Sequence, residues 1–294
     1  MQKIGDVLLE ISKINMQRDS KVKSTRPTFE LTDEICNNNE IHPLKKNVKM
    51  MVLNGEKICP LCEKHKQDMQ LQRSIEKNIE QTRLNRNKNL LSDLSILSDE
   101  TLKAASFESF IANDPATEIY VNKQQMIKVY KAYRKGEVFN TWLFGRPGAG
   151  KSHLAMALMN NLSAKGNGEI SCLFVKVDKL MASIRDTFKN GYCGNDSEAS
   201  IIQRLIDTDY LVLDDLGAES GSMSRNEQAS DFIHRVLYAV CDGRQHKSTV
   251  ITTNLISSEL KKIYDDKLLS RLLATNLKIE FTKSQDARIK NKVL

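Results

Sequence analysis

From Phe139 onward the apolar positions come in short runs, each broken by polar or glycine-rich stretches. FNTWLFG, SCLFVKV, DYLVLDD, STVITTN and LKIEFT read as five short strands. Between them, the segment from about Lys151, then DKLMASIRDTFKN and NEQASDFIHRVLYAVCD, carry apolar residues at helical spacing. Strands alternating with helices predict an α/β unit, a parallel sheet covered on both faces. The front of the chain follows a different pattern. Residues 66–98 contain no Gly or Pro and are rich in Gln, Lys, Arg and Glu, so they read as a polar connector helix or as a linker. Residues 1–65 look irregular, with a turn signal at Asn54-Gly55 and an amphipathic helical pattern in MQKIGDVLLEISKINMQRD. The expected division is therefore 1–65, 66–98 and 99–294.

No stretch of the chain is long and apolar enough for a membrane span, and the N-terminal pattern is charged throughout, unlike a secretory signal. A cytosolic, cytoplasmic protein is expected, with no membrane contact, whose six cysteines are thiols or metal ligands rather than disulfides. The net charge of +7 is uneven: residues 1–90 hold 17 Lys+Arg against 12 Asp+Glu, and the rest hold 27 against 25. That bias permits contact with nucleic acid or an acidic protein face, and a solvated surface explains it as well. The same two readings apply to Lys176, Lys179, Arg185 and Lys189, near the second strand and its helix.

The chemistry concentrates after the first strand. Gly145, Pro147, Gly148, Ala149, Gly150, Lys151 and Ser152 fall in GRPGAGKS, a full match to G-x-x-x-x-G-K-[S/T] between a strand and a helix. Glycines there let successive N–H groups turn inward onto phosphate oxygens, and the helix start adds partial positive charge. Lys151 can reach the outer phosphates of ATP, and the Ser152 hydroxyl can ligate Mg²⁺. Sixty-three residues later the strand YLVLDD ends in Asp214 and Asp215, at the edge where such sheets bind ligands. Asp214 is the candidate Mg²⁺ holder, and Asp215 the group that orients or deprotonates the attacking water. Asn254, closing VITTN, is placed to position that water or touch the γ-phosphate. Arg271, in LLSRLL, has no acidic neighbour in the sequence and is a candidate arginine finger for another subunit's phosphate.

At the front, Cys36, His42, Cys59 and Cys62 form C-x5-H-x16-C-x2-C, a recurring zinc spacing, with His65 as competitor for the fourth ligand. Loops with few apolar residues would draw folding energy from the metal. Cys172 and Cys241 read as core thiols, and Cys193 sits in a Gly-containing loop.

The phosphate loop, the Asp-Asp strand tip, the strand-end Asn and the late Ser-Arg-Leu, in that order, resemble the AAA+ ATPases. LVLDDLGAE, VITTNL and LLSRLL are similar to the DnaC/DnaI helicase-loader branch and its phage relatives. The resemblance covers about residues 100–294. It implies a five-stranded parallel sheet of order 5-1-4-3-2 and an ATP site shared between subunits that assemble as a ring or spiral. By the same likeness, a small zinc-bearing N-terminal domain and linker helix precede the ATPase. It further implies a DnaB-type hexameric replicative helicase and single-stranded DNA as partners. Where many AAA+ proteins carry Asp-Glu this chain has Asp214-Asp215, so slow hydrolysis is expected; Glu219 is a nearby alternative base. Arg288 is a candidate late phosphate sensor. An IstB-type transposition helper, which shares the AAA+ core, and a non-catalytic zinc adaptor are the alternative readings.

Overall fold

The computed structural model describes residues 29–43, 47–53, 55–189, 197–220, 231–274 and 276–283. The amphipathic pattern of residues 1–19, Cys193, Arg288 and the first residues of the NEQASDFIHRVLYAVCD segment lie outside the described residues. The chain divides into two compact units, residues 1–79 and 80–294.

In the first unit the segment that looked irregular forms an antiparallel sheet of three strands, β1 (Phe29–Ile35), β2 (Lys49–Leu53) and β3 (Glu56–Ile58), in that order. Met51 pairs with Leu31 on one side and with Ile58 on the other. Among the described residues of this unit only His42 and Cys59 are buried. A sheet with so little core cannot rest on apolar burial alone. Helix α1 (Pro60–Asp93) follows. It starts six residues ahead of the expected linker, because proline at the first helical position loses no hydrogen bond.

The second unit contains α2 (Glu118–Arg134), β4 (Asn140–Gly145), α3 (Lys151–Gly166), β5 (Cys172–Lys176), α4 (Val177–Lys189), α5 (Glu198–Asp207), β6 (Tyr210–Asp214), α6 (Asp231–Gly243), β7 (Thr249–Thr253), α7 (Ser257–Ile263), α8 (Asp266–Leu273) and β8 (Asn276–Phe281). The sheet runs β5-β6-β7-β4-β8, with every neighbouring pair parallel. Read from the other edge, this is the expected order 5-1-4-3-2.

Both faces of the four strands β5, β6, β7 and β4 are buried, which explains their mostly apolar runs, while the edge strand β8 alternates buried Ile279 and Phe281 with exposed Lys278 and Glu280. Trp142, Leu173, Val175, Leu211, Leu213 and Ile251 face one layer, with α4 to α8. Leu143, Phe174, Val212, Val250, Ile279 and Phe281 face the other, with α2 and α3. Cys172 is buried in that second layer, and Cys241 packs partly buried against the first. Helices α2 and α5 did not figure in the sequence reading. Each starts at a hydroxyl cap, Thr117 accepting the Tyr120 amide and Ser197 accepting the Ser200 amide. No helix of the described residues is long and apolar enough to cross a membrane. Because all five strands are parallel, Gly145, Lys176, Asp214 and Thr253 end at one edge of the sheet, and the candidate phosphate and Mg²⁺ residues collect there.

Candidate functional site

The glycine loop leaves β4 and enters α3 at Gly150, whose φ of 93° is a left-handed conformation. A Cβ on Gly150 would come within 2.5 Å of the Phe110 ring, so glycine is required on both counts. Phe110 belongs to the segment SFESFIANDP, which runs along the start of α3. His153 Nε2 lies 3.0 Å from Ser109 Oγ and 3.2 Å from the Ser106 carbonyl. In the loop itself Pro147 is exposed and Ala149 is buried.

The ammonium of Lys151 is buried and donates to the carbonyls of Gly145 and Arg146, both at 2.8 Å, and to Asn254 Oδ1 at 2.7 Å. Ser152 Oγ donates to Asp214 Oδ1 at 2.6 Å. The loop's hydroxyl and the acidic strand tip, 62 residues apart in sequence, therefore meet. Asp214 is buried, and that burial raises its pKa against the lowering effect of the Ser152 and Thr252 hydroxyls.

The strand end Thr252-Thr253-Asn254 braces the acidic turn residue by residue. Thr252 Oγ1 donates to Asp214 Oδ1 at 2.7 Å and accepts the Asp215 amide at 2.9 Å. Thr253 Oγ1 donates to the Leu216 carbonyl at 2.7 Å. Asn254 Nδ2 donates to Asp215 Oδ1 at 2.9 Å, so this amide bridges Lys151 and Asp215. Lys176, at the tip of β5, lies 3.5 Å from Asp215 and 3.4 Å from Asp178. Thr252, Thr253 and Lys176 were not singled out from sequence as parts of this site. Their signal is the register that sets β6 between β5 and β7, which only the folded sheet supplies. The other residues of the basic group are engaged too. Lys179 donates to the Leu97 carbonyl at 2.7 Å, and Arg185 lies 5.1 Å over the Phe232 ring. The side chain of Lys189 lies outside the described residues.

Arg271 stands elsewhere. Its helix α8 ends just before β8, whose first residue Asn276 pairs with Asn140, the start of β4, while the phosphate loop leaves the far end at Gly145. Five residue steps of strand separate the two edges, about 16 Å. Arg271 has no acidic neighbour in the sequence, but the fold supplies one: its Nε donates to Asp242 at 2.7 Å, and its guanidinium lies 4.3 Å over the Tyr238 ring. Asp242 is 29 residues away in sequence, and only the packing of α6 on α8 brings it near.

In the first unit, one ligand atom from each of Cys36, His42, Cys59 and Cys62 lies within 4.8 Å of all the others. Cys36 Sγ is 3.7 Å from Cys62 Sγ, and Cys59 Sγ is 3.7 Å from His42 Nε2. Tetrahedral zinc with Zn–S bonds near 2.3 Å puts its sulfurs about 3.8 Å apart, so the spacing fits that ion. His65 is exposed and outside the group. Burial, then the neighbouring Cys36 and Cys59, pushes the Cys62 thiol up to about 12. At Cys59 burial is the largest effect and acts the same way, but the amides of Cys62 and Leu61 and the thiols of Cys36 and Cys62 together outweigh it and lower the pKa. A crowded set of thiols that resists shared ionisation is one a divalent cation would stabilise.

A family model described as "IstB-like ATP binding protein" matches residues 65–293. The replicative helicase loader DnaC of Escherichia coli (strain K12) is 26% identical over 171 residues, 58% of this chain and 64% of that protein. The chain thus covers somewhat under two thirds of that relative's length. DnaC of Buchnera aphidicola subsp. Schizaphis graminum is 28% identical over 211 residues, 65% of this chain and 79% of that protein. Among solved structures, the crystal structure of the DnaC helicase loader aligns with a TM-score of 0.50 at 20% identity, covering 62% of this chain and 99% of that one. At that identity the likeness is one of fold.

Proposed function

This chain belongs to the IstB-like ATP binding proteins, and from that premise we propose that it is an ATPase that loads a DnaB-type hexameric replicative helicase onto single-stranded DNA during replication initiation. The observation that carries the ATPase half is the contact of Ser152 with Asp214, beside the bridge that Asn254 makes between Lys151 and Asp215. Phosphates would sit on the loop amides from Gly145 to Gly150 and on the start of α3. Lys151 would exchange its two backbone carbonyls for the outer phosphates. Ser152 would hold Mg²⁺ directly and Asp214 through water; the ion supplies charge neutralisation at the transferring phosphate. Asp215 would accept a proton from the attacking water, with Asn254 fixing the carboxylate. Its short side chain and its ties to Asn254 and Lys176 favour slow turnover.

Arg271 faces the wrong edge to serve its own loop, which supports delivery to a neighbouring subunit in a ring or spiral. There it would have to leave Asp242. Cys36, His42, Cys59 and Cys62 would hold Zn²⁺ as a structural ion, building the core the first unit lacks, and that unit would grip the helicase. The loader half draws on the names of the DnaC relatives. The family description favours a second reading, an IstB-like transposition helper. A pull-down of a DnaB-type helicase by the full chain, with and without ATP, decides between them. Nucleotide-dependent capture is expected; failure to capture in either condition, with retained binding to a transposase, would replace the loader reading.

A further inference from the structure

Glu219 has no part in the reaction above, yet its carboxylate is held from two sides. Oε2 accepts the Gly217 amide at 2.9 Å, and Oε1 accepts the hydroxyl of Tyr264. The residue lies in the short turn Ala218–Ser220, directly after the acidic strand tip. Burial raises its pKa to about 7, and the charges of Asp178 and Asp215 add to the rise.

The turn it closes carries an unusual backbone. Asp215 has φ of 61°, a left-handed conformation that a non-glycine residue keeps only when its surroundings enforce it. On the β7 side, the amides of Asp215 and Leu216 go to Thr252 Oγ1 and the Thr252 carbonyl. On the far side, the Gly217 amide ends on Glu219, and the Ala218 amide that follows returns to the Asp215 carbonyl at 3.2 Å. Gly217 has φ of 101°, and a Cβ there would lie 2.4 Å from Leu255 Cδ1, so the turn has no room to rearrange around a side chain. Tyr264 is buried at the join of α7 and α8, with its ring 5.9 Å from that of His234. It is therefore a fixed anchor for the carboxylate.

We propose that Glu219 and Tyr264 form a clamp that positions Asp215, so that Glu219 is a positioning residue and not a substitute base. The proposal rests on the ATPase reading above. With the clamp closed, Asp215 keeps its carboxylate against Asn254 and Lys176. Without it, the turn relaxes toward ordinary backbone and the carboxylate leaves the line of the attacking water. Glutamine in place of Glu219 still accepts the Gly217 amide and can donate to the Tyr264 oxygen, but it cannot take a proton from water. Alanine does none of these.

The test uses the full chain with single-stranded DNA present. Phosphate release gives kcat, and a fluorescent methylanthraniloyl-ATP gives the dissociation constant. Glu219→Ala and Tyr264→Phe should each lower kcat about tenfold while the dissociation constant stays within about twofold, as expected for a displaced catalytic group. Glu219→Gln should keep most of the wild-type kcat. If Glu219→Gln is as inactive as Glu219→Ala, Glu219 is the base and the clamp is wrong. Wild-type turnover in both Glu219→Ala and Tyr264→Phe removes the clamp alone. Should Glu219→Ala fail to fold by circular dichroism, Tyr264→Phe, which loses one hydroxyl, decides the matter. A wild-type chain that neither binds nor hydrolyses ATP overturns the ATPase reading, and the clamp's role with it.

Discussion

At the residue scale, Lys151 and Asn254 make separable predictions. Lys151 is the one ammonium in the loop placed to meet the outer phosphates, so Lys151→Ala should weaken ATP binding by about tenfold or more, measured by titration with a fluorescent analogue. Asn254 touches Asp215 and the Lys151 ammonium, which would turn to the outer phosphates once they bind. Asn254→Ala should therefore lower kcat about 10²-fold and change affinity little, as loss of one preorganised donor does. Unchanged kcat would remove its role. Glu219 adds a pH signature in stability. Its folded pKa of about 7 lies above its ordinary 4.5. The protonated carboxyl thus favours the folded state at low pH, and that contribution is lost as pH rises from 4.5 to about 7. Glu219→Gln should melt at a higher temperature than wild type above pH 7, with the difference vanishing in acid. The phosphate loop was legible in the sequence because its chemistry demands fixed residue types at fixed spacing. Thr252 and Thr253 were not: a threonine at a strand end has many ordinary uses, and their bonds to the acidic turn depend on the pairing of β6 with β7.

At the scale of elements, β4, β5, β6 and β7 were legible because burial on both faces leaves mostly apolar runs, and the edge strand β8 because Ile279 and Phe281 alternate with exposed Lys278 and Glu280. The strands of the first unit were not: β1 and β3 mix apolar with charged residues, and the one apolar run, Met50 to Leu53 in β2, is a single short stretch with no partner of its kind nearby. Helices α2 and α5 carried hydroxyl caps, but the buried face of α2 includes the polar Asn122, and α5 is only ten residues long. One buried charge ties several elements together. Arg244 donates to Thr249 Oγ1 and to the carbonyls of Leu205, Thr208, Asp209 and Ser248, joining the end of α5 to the start of β7. Burial pushes its pKa down to about 10. Arg244→Leu would strand several buried carbonyls and should cost about 3 kcal/mol or more in urea unfolding, with ATP affinity unchanged in the folded protein. The group of Cys36, His42, Cys59 and Cys62 lies within one unit. Elemental analysis of the full chain should return about one zinc per chain, and Cys59→Ser with Cys62→Ser about none. Chelation should erase the amide protection of residues 29–58 and leave the five-stranded sheet protected. A zinc-free chain with an intact first unit would end that assignment.

At the scale of the molecule, the resemblance to the AAA+ helicase loaders is borne out by the DnaC relatives and by the strand order. What no local pattern could show is where Arg271 would lie and what would hold it. Arg271→Ala should leave ATP affinity intact and slow turnover at least tenfold in the assembled protein. Asp242→Asn should free the guanidinium and leave turnover equal to wild type or faster. The placement of the phosphate loop and Arg271 at opposite ends of the strands has a quantitative outcome. On the proposed reading a lone copy would be half an enzyme, so phosphate release per molecule should climb steeply as the solution is made more concentrated and fade on dilution. An equimolar blend of Lys151→Ala and Arg271→Ala should recover some of the activity that each lacks by itself.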